Sequence, residues 1–245
     1  MRALHFRSGW NGKWCGNSPT EGRTGARRTL VGLGVVVSLL APVGSIASRA
    51  QADETCMSPY MVKIEGQEEF VYVWTLGIDG LGDGSDKLVT LDVRPDSKTY
   101  GKVVHSVSVG GQHEAHHGGF TDDRREFWVS GLDSSKIFVF DIHTDAGRPR
   151  LTKTIDDFVE ASGGAVGPHG IYALPGRVLI SCLSNDKDRG GRTAIVEYRN
   201  DGKHIATHWM PTDAEPRGAK IEQMADGYGY DLRVLRDVSE GQFRD

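Results

Sequence analysis

The sequence has few cysteines, no excess of basic charge and a single long uncharged apolar run. Its 245 residues include 3 cysteines, which are too few for a disulfide scaffold. Lysine and arginine number 29 against 33 aspartates and glutamates, so the chain lacks the basic excess that nucleic-acid-binding proteins show. With 38% hydrophobic and 25% charged residues, the composition is that of a folded globular protein rather than a disordered one.

The uncharged run lies near the start of the chain and has the surroundings of a signal peptide. Arg27 and Arg28 stand directly before it, and Ala50 and Ala52 form an A-x-A cleavage pattern after it. An uncleaved anchor helix is disfavoured, because the apolar centre is shorter than the ~20 residues that a membrane span needs. We therefore expect residues 1–52 to be a leader, with a twin arginine that favours export of a folded protein, and the mature protein to be periplasmic or secreted and not membrane-bound.

After residue 53 the sequence predicts short β-strands and almost no helix. Runs of β-branched and aromatic residues are interrupted by glycine, aspartate, asparagine and proline. The predicted strands are 70–76, 87–93, 103–109, 125–131, 136–142, 151–155, 170–174, 177–183, 193–199, 204–210 and 230–235. Only residues 156–161 are expected to form a helical turn.

Three strand–turn–strand stretches, which begin at Lys87, Lys136 and Thr193, resemble one another. Repeats of about 40–50 residues with four short strands each are typical of β-propeller blades, and a two-sheet sandwich does not explain such a period. We therefore predict an all-β fold of mostly antiparallel four-stranded sheets over residues 53–245, a partial β-propeller of about four blades. Because residues 236–245 are polar and supply no partner strand, we expect the chain to be truncated.

The densest set of potential metal ligands runs from His113 to His117, between two glycine pairs. Imidazole nitrogens suit zinc, copper, iron and nickel. The stretch formally matches the H-E-x-x-H motif of zinc proteases, with Glu114 as the base, but that motif requires a helix, which the glycines disfavour. We expect instead a glycine-flanked loop at the end of a blade strand, with His116 and His117 turned toward the central channel. A zinc hydrolase built on His113, Glu114 and His117 is the less favoured alternative.

Two further groups could take part in chemistry. His169 lies between Pro168 and a glycine, which predicts that a tight turn presents it and that it joins the histidine pair as a metal ligand. Cys56 is either a tethered thiol or the disulfide partner of Cys182, which itself lies in a predicted strand and is expected to be a small core residue. Hydrogen-bonding or surface roles are expected for the remaining histidines of the mature chain, His105, His143, His204 and His208.

Several motifs after the leader are specific enough to suggest a family. They are Cys56-Met-Ser-Pro, Glu68-Glu-Phe-Val-Tyr, Leu88-Val-Thr-Leu-Asp-Val, Ala115-His-His-Gly-Gly-Phe, Pro168-His, Gly176-Arg-Val-Leu-Ile-Ser-Cys-Leu and Tyr228-Gly-Tyr-Asp-Leu-Arg. In this order and spacing they resemble the selenium-binding protein family, whose bacterial members include copper-dependent methanethiol oxidases.

This resemblance implies an exported β-propeller that oxidises a small thiol with O2. The reaction would convert methanethiol, O2 and water to formaldehyde, hydrogen sulfide and hydrogen peroxide, with copper held by His116, His117 and His169. Thr75 stands where eukaryotic members carry the cysteine linked to selenium binding, so selenium is not expected to bind there. Cys56 is the candidate for binding selenium or a thiol. A non-enzymatic propeller that binds a small ligand or a protein in its channel is the main alternative, and the activity of an incomplete chain is a separate question.

Overall fold

The computed structural model describes residues 58–185, 192–211 and 227–234 of the chain. These residues form short strands and one short helix. The strands are β1 (Phe70–Thr75), β2 (Lys87–Asp92), β3 (Val103–Ser108), β4 (Ala115–Phe120), β5 (Glu126–Gly131), β6 (Lys136–Asp141), β7 (Arg150–Ile155), β8 (Ala165–Leu174), β9 (Arg177–Asn185), β10 (Ala194–Arg199) and β11 (His204–Trp209). The helix α1 (Phe158–Ala161) lies within the stretch for which a helical turn was predicted.

The strands form three antiparallel sheets in which neighbours along the chain are neighbours in the sheet. The orders are β1-β2-β3, β4-β5-β6-β7 and β8-β9-β10-β11. Meandering sheets of this size are the blades of a β-propeller. The fold is therefore all-β and built of propeller blades, as the repeats predicted.

The middle sheet is buried on both faces, which explains why a blade needs its neighbours. Along β6, Ile137 and Val139 belong to one buried cluster, whereas Phe138 and Phe140 belong to the other. Successive side chains of a strand point to opposite faces, so this alternation places one apolar layer on each side of the sheet. The larger layer lies against the third sheet and includes Trp128 from β5, and the other lies against the first sheet.

Two sequence predictions fall outside the described residues and stay predictions. They are the leader, with Arg27, Arg28, Ala50 and Ala52, and the thiol of Cys56. A third prediction was wrong, because the described residues after Gly227 include no strand where 230–235 was expected to form one. Within the described part of the chain, no helix has the length and apolarity that crossing a membrane requires.

Candidate metal centre

His116 and His117 lie within β4, so the prediction that a glycine-flanked loop carries them was wrong. The two residues after the pair also lie in the strand, and they are glycines because β4 passes very close to its neighbours. A Cβ atom at Gly119 would lie 2.5 Å from the carbonyl oxygen of Ile171, and one at Gly118 would lie 2.7 Å from the ring of Phe127. Here glycine indicates a close approach of two backbones rather than a turn.

A β-bulge in β4 sets the direction of both histidines. Ala115 pairs with Gly131 and Gly118 pairs with Val129, so His116 and His117 together stand opposite the single residue Ser130. The Ser130 hydroxyl accepts a hydrogen bond from the His117 N–H at 3.3 Å and donates one to the His117 carbonyl at 3.1 Å. A bulge re-aims side chains that would otherwise alternate strictly between the two faces of the sheet.

A second bulge of the same form places His169 in β8, which corrects the prediction of a tight turn. Pro168 pairs with Cys182 and Ile171 pairs with Ile180, so His169 and Gly170 together stand opposite Ser181. The Gly170 N–H donates a hydrogen bond of 2.9 Å to the Ser181 hydroxyl. A serine on the neighbouring strand therefore stabilises each of the two bulges.

The two bulges bring the three predicted ligands together, because β4 and β8 are edge strands that lie beside each other. The His116 and His169 Nε2 atoms are 2.8 Å apart. One ligand nitrogen from each of His116, His117 and His169 lies within 4.8 Å of the other two. His169 is 1% exposed, whereas His117 is open to solvent.

Burial favours the neutral form of two rings of this site, His169 and His116. It lowers the pKa of His169 to about 4, and the neighbouring His117 and His116 rings add to the decrease. The pKa of His116 is lowered as well, again mainly by burial. The Tyr230 carbonyl, which lies near the His169 ring, acts in the opposite direction and raises the pKa of His169 slightly. The His169 Nδ1 atom has no hydrogen-bond partner among the described residues. Neutral imidazole is the form that binds a metal ion.

The donor set fits a metal ion of the imidazole-binding class. Two imidazole nitrogens that each bind the same ion at about 2.0 Å, with a nitrogen–metal–nitrogen angle of about 90°, are about 2.8 Å apart. The His116 and His169 Nε2 atoms are 2.8 Å apart, a distance that matches this separation and is also that of a hydrogen bond between the two rings. An all-nitrogen set suits copper, zinc or nickel and is a poor match for calcium or magnesium.

A cavity of about 280 Å³ opens beside the histidines. Both His117 and His169 contribute to its wall, and most of the remaining lining is apolar. The apolar lining consists of Met61, Phe120, Phe127, Ile171 and Ala173, and polar groups come from Tyr230, Asp231 and Arg233. A small, largely apolar molecule could therefore sit next to a metal ion held by the histidines.

His113 and Glu114 are not part of this site. The His113 ring packs against Phe138 at a centroid distance of 4.9 Å, and the backbone N–H of His113 donates to a carboxylate oxygen of Asp86. Glu114 adopts a φ of 58° directly before β4, so no helix carries the motif. Among the described residues, the one group of three potential metal ligands does not include His113. The arrangement that a zinc hydrolase would need is therefore not formed here.

The other predicted roles are simpler. His105, His204 and His208 each make a hydrogen bond within the fold, as expected, to the Pro149 carbonyl, the Thr207 hydroxyl and the Glu197 carboxylate. Cys182 is a fully buried free thiol, which confirms its core role, whereas Cys56 lies outside the described residues. Burial also raises the pKa of the Cys182 thiol far above its usual value.

Comparisons with known proteins agree on one family. Residues 50–228 match the sequence profile of the 56kDa selenium binding protein. The chain is 63% identical over 189 residues to a methanethiol oxidase of Ruegeria pomeroyi, which covers 76% of this chain and 43% of that protein. It is 51% identical over 184 residues to a methanethiol oxidase of a Hyphomicrobium species, covering 75% of this chain and 40% of that protein.

A solved structure shares the fold. The X-ray structure of a hypothetical selenium-binding protein from Sulfolobus tokodaii superposes with a TM-score of 0.52 at 26% identity, covering 60% of this chain and 37% of that one. The chain thus spans less than half the length of the relatives that it matches. With most of its residues inside the family profile, the chain belongs to the 56kDa selenium-binding protein family.

Proposed function

We propose that this chain carries a copper site of the methanethiol-oxidase type, with His116, His117 and His169 as ligands. The observation that carries the proposal is the meeting of three imidazoles from two neighbouring strands, with ligand atoms within 4.8 Å of one another. The methanethiol oxidases of Ruegeria pomeroyi and Hyphomicrobium support the choice of reaction, since both are more than half identical to the chain over the matched region.

Copper is preferred over zinc because the reaction transfers electrons. Methanethiol, O2 and water give formaldehyde, hydrogen sulfide and hydrogen peroxide; the carbon loses two electrons and O2 gains two. A redox-active metal can accept electrons from a bound thiolate and pass them to O2, whereas zinc has no redox chemistry.

The residues of this chain would bind the metal ion, orient the thiol and shield it from water. His116 and His169 are held by the two bulges and hydrogen-bond each other through Nε2, so in neutral form each could offer a nitrogen lone pair to a metal ion by a change of tautomer, without a net loss of protons. The apolar wall formed by Met61, Phe120 and Ile171 would hold the methyl group and exclude water from its surroundings. His117, the most open of the three, lies where a small molecule would enter.

Product analysis of the full chain tests this proposal. Copper-loaded protein supplied with methanethiol and O2 should form formaldehyde, hydrogen sulfide and hydrogen peroxide in equal amounts, and zinc-loaded protein should form none. His169→Ala should abolish the products, whereas His105→Ala, which changes a histidine outside the site, should leave them unchanged. Copper-loaded protein that binds methanethiol without forming the products would contradict the oxidase and favour a binding propeller.

We also propose that residues 1–52 direct export to the periplasm. The support is the basic segment, the short apolar centre and the A-x-A pattern read from the sequence. A fusion of residues 1–52 to a reporter that becomes active only after export should be active in a bacterial host. Replacing Arg27 and Arg28 by lysine should abolish export if the twin-arginine route is used, and unchanged export would leave the general secretory route.

A further inference from the structure

The segment of residues 227–234, called here the Gly-Tyr-Asp segment, is fastened beside His169 although it forms no strand. The Gly229 N–H donates a hydrogen bond of 3.0 Å to the Thr193 hydroxyl. The Ser181 hydroxyl, which also stabilises the β8 bulge, donates one of 3.2 Å to the Tyr230 carbonyl. Two buried hydroxyls, one from β9 and one from the residue directly before β10, therefore fix the segment at Gly229 and Tyr230.

Gly229 is required by this close approach. A Cβ atom at this position would lie 2.8 Å from the Cys182 carbonyl oxygen and closer still to the Thr193 hydroxyl. One atom belongs to β9 and the other to the residue directly before β10, so a side chain at Gly229 would move the segment away from the strands. The glycine and the two hydroxyls thus define where the next residue, Tyr230, must lie.

Tyr230 makes the closest ring contact of His169. Their ring centroids are 3.9 Å apart, against 4.2 Å between His169 and His117 and 4.4 Å between His169 and His116. The Tyr230 ring also approaches His117, at 6.4 Å and nearly perpendicular. No hydrogen bond of the Tyr230 hydroxyl is found within the described ranges, so its contribution comes from the ring.

Gly170, which has no side chain, leaves room for the Gly-Tyr-Asp segment. It occupies the second position of the β8 bulge, where the β4 bulge has His117. A Cβ atom at Gly170 would lie 3.2 Å from an Asp231 carboxylate oxygen and 3.5 Å from the Tyr230 carbonyl. The segment therefore takes the space that a second histidine side chain would otherwise fill.

We propose that Tyr230 is a positioning residue, whose ring, fastened through Thr193 and Ser181, holds the His169 imidazole in its ligating orientation. The part of this inference that concerns copper binding rests on the proposed function. The part that concerns the orientation of the His169 ring does not. Groups that hydrogen-bond a ligating histidine typically change metal affinity 10–100-fold when they are removed, and we expect a packed ring that fixes the same imidazole to act in the same direction.

The test compares Tyr230→Ala with Tyr230→Phe and with Tyr228→Ala. Tyr228 is a matched control, since it lies in the same segment and is 60% exposed against 57% for Tyr230. Because Tyr230 is more than half exposed, its replacement should leave the fold intact. Thr193→Val, which removes the acceptor for the Gly229 N–H, provides a second way to loosen the segment.

The first readout needs no metal. Acylation of His169 by diethyl pyrocarbonate, followed by peptide mass spectrometry, should be at least about tenfold faster in Tyr230→Ala, because loss of the ring opens a side of the buried imidazole. Tyr230→Phe and Tyr228→Ala should react like the unchanged chain. Equal rates in Tyr230→Ala and the unchanged chain would overturn the proposal.

The second readout is copper binding. Tyr230→Ala should bind Cu²⁺ about 10–100-fold more weakly and with an altered electron paramagnetic resonance spectrum, and Tyr230→Phe should restore both. Faster acylation together with an unchanged Cu²⁺ affinity and an unchanged spectrum would show that Tyr230 only shields His169 from solvent, and would overturn its positioning role. If the unchanged chain binds no copper, the proposed function fails, and the acylation rates alone decide whether Tyr230 holds His169.

Discussion

The bulges in β4 and β8 have the same form but different second residues. In each, two residues stand opposite one serine, and the serine hydroxyl bonds the backbone of the bulged strand. The first positions are both histidines, His116 and His169, and their Nε2 atoms are in contact. The second positions are His117 in β4 and Gly170 in β8.

The difference shows how one structural device can serve two purposes. In β4 the second position adds a third, solvent-exposed imidazole, whereas in β8 a glycine admits the Gly-Tyr-Asp segment against His169. His117 is exposed and lies 6.4 Å from the Tyr230 ring, whereas the buried His169 is held from a second side, with the Tyr230 ring at 3.9 Å. Both bulges must form before the three nitrogens can meet.

The largest effect on stability is expected where the two strands lie closest. Gly119→Ala would push a methyl group to 2.5 Å from the backbone of Ile171, and backbone cannot rotate aside as a side chain can. We expect a loss of about 3 kcal/mol in the free energy of unfolding, measured with urea. Gly170→Ala, whose nearest contact is the Ser181 hydroxyl at 3.1 Å, should cost less than half as much. Equal costs for the two variants would contradict the close approach of β4 to β8.

Replacement of the two serines should cause the next largest loss in the free energy of unfolding. Ser130→Ala and Ser181→Ala each remove a fully buried hydroxyl and leave backbone groups of the bulge without a partner, which should cost about 1–3 kcal/mol. Ser108→Ala, at an exposed position, is a control that should stay within about 0.5 kcal/mol. Ser181→Ala should also speed acylation of His169, since it releases the Tyr230 carbonyl. If the serine variants match the control, the bulges do not depend on these hydroxyls.

The last prediction concerns the pH dependence of stability. The pKa of His169 is about 4 in the folded chain and about 6.5 when the chain is unfolded. Between these values the unfolded state binds a proton that the folded state does not, so the metal-free protein loses stability as pH falls from about 6.5 to about 4. In His169→Gln this loss should be smaller, although the lowered pKa of His116 keeps some of it. Urea unfolding at pH 7 and pH 4.5 gives the comparison, and equal losses in both proteins would contradict the burial of a neutral His169.

Sequence reasoning predicted the fold well, because strands leave a local signal. The alternation in Lys136–Asp141 and the repeat of strand pairs are visible in the chain, and they gave strand bounds within a few residues for most of the sheets. The convergence of His116, His117 and His169 was also predicted, from the histidine cluster and the Pro-His-Gly stretch and then from the family resemblance.

Three features could not be read in this way because they depend on distant parts of the chain. The strand β4 was missed, since its glycines look like turn residues until the backbone of Ile171 is placed against them. The bulges depend on which serine lies across from the histidines, which is a matter of register. The segment around Tyr230 was predicted to be a strand, although its Gly-Tyr-Asp motif was recognised; what defines it is the pair of hydroxyls that it contacts.

Copper titration of the full metal-free chain tests the central claim most directly. We predict one Cu²⁺ bound per chain, with nitrogen coupling in its electron paramagnetic resonance spectrum, and loss of this signal in both His116→Ala and His169→Ala but not in His105→Ala. Copper bound equally well by all four proteins, or by none of them, would contradict a copper centre formed by the two bulges.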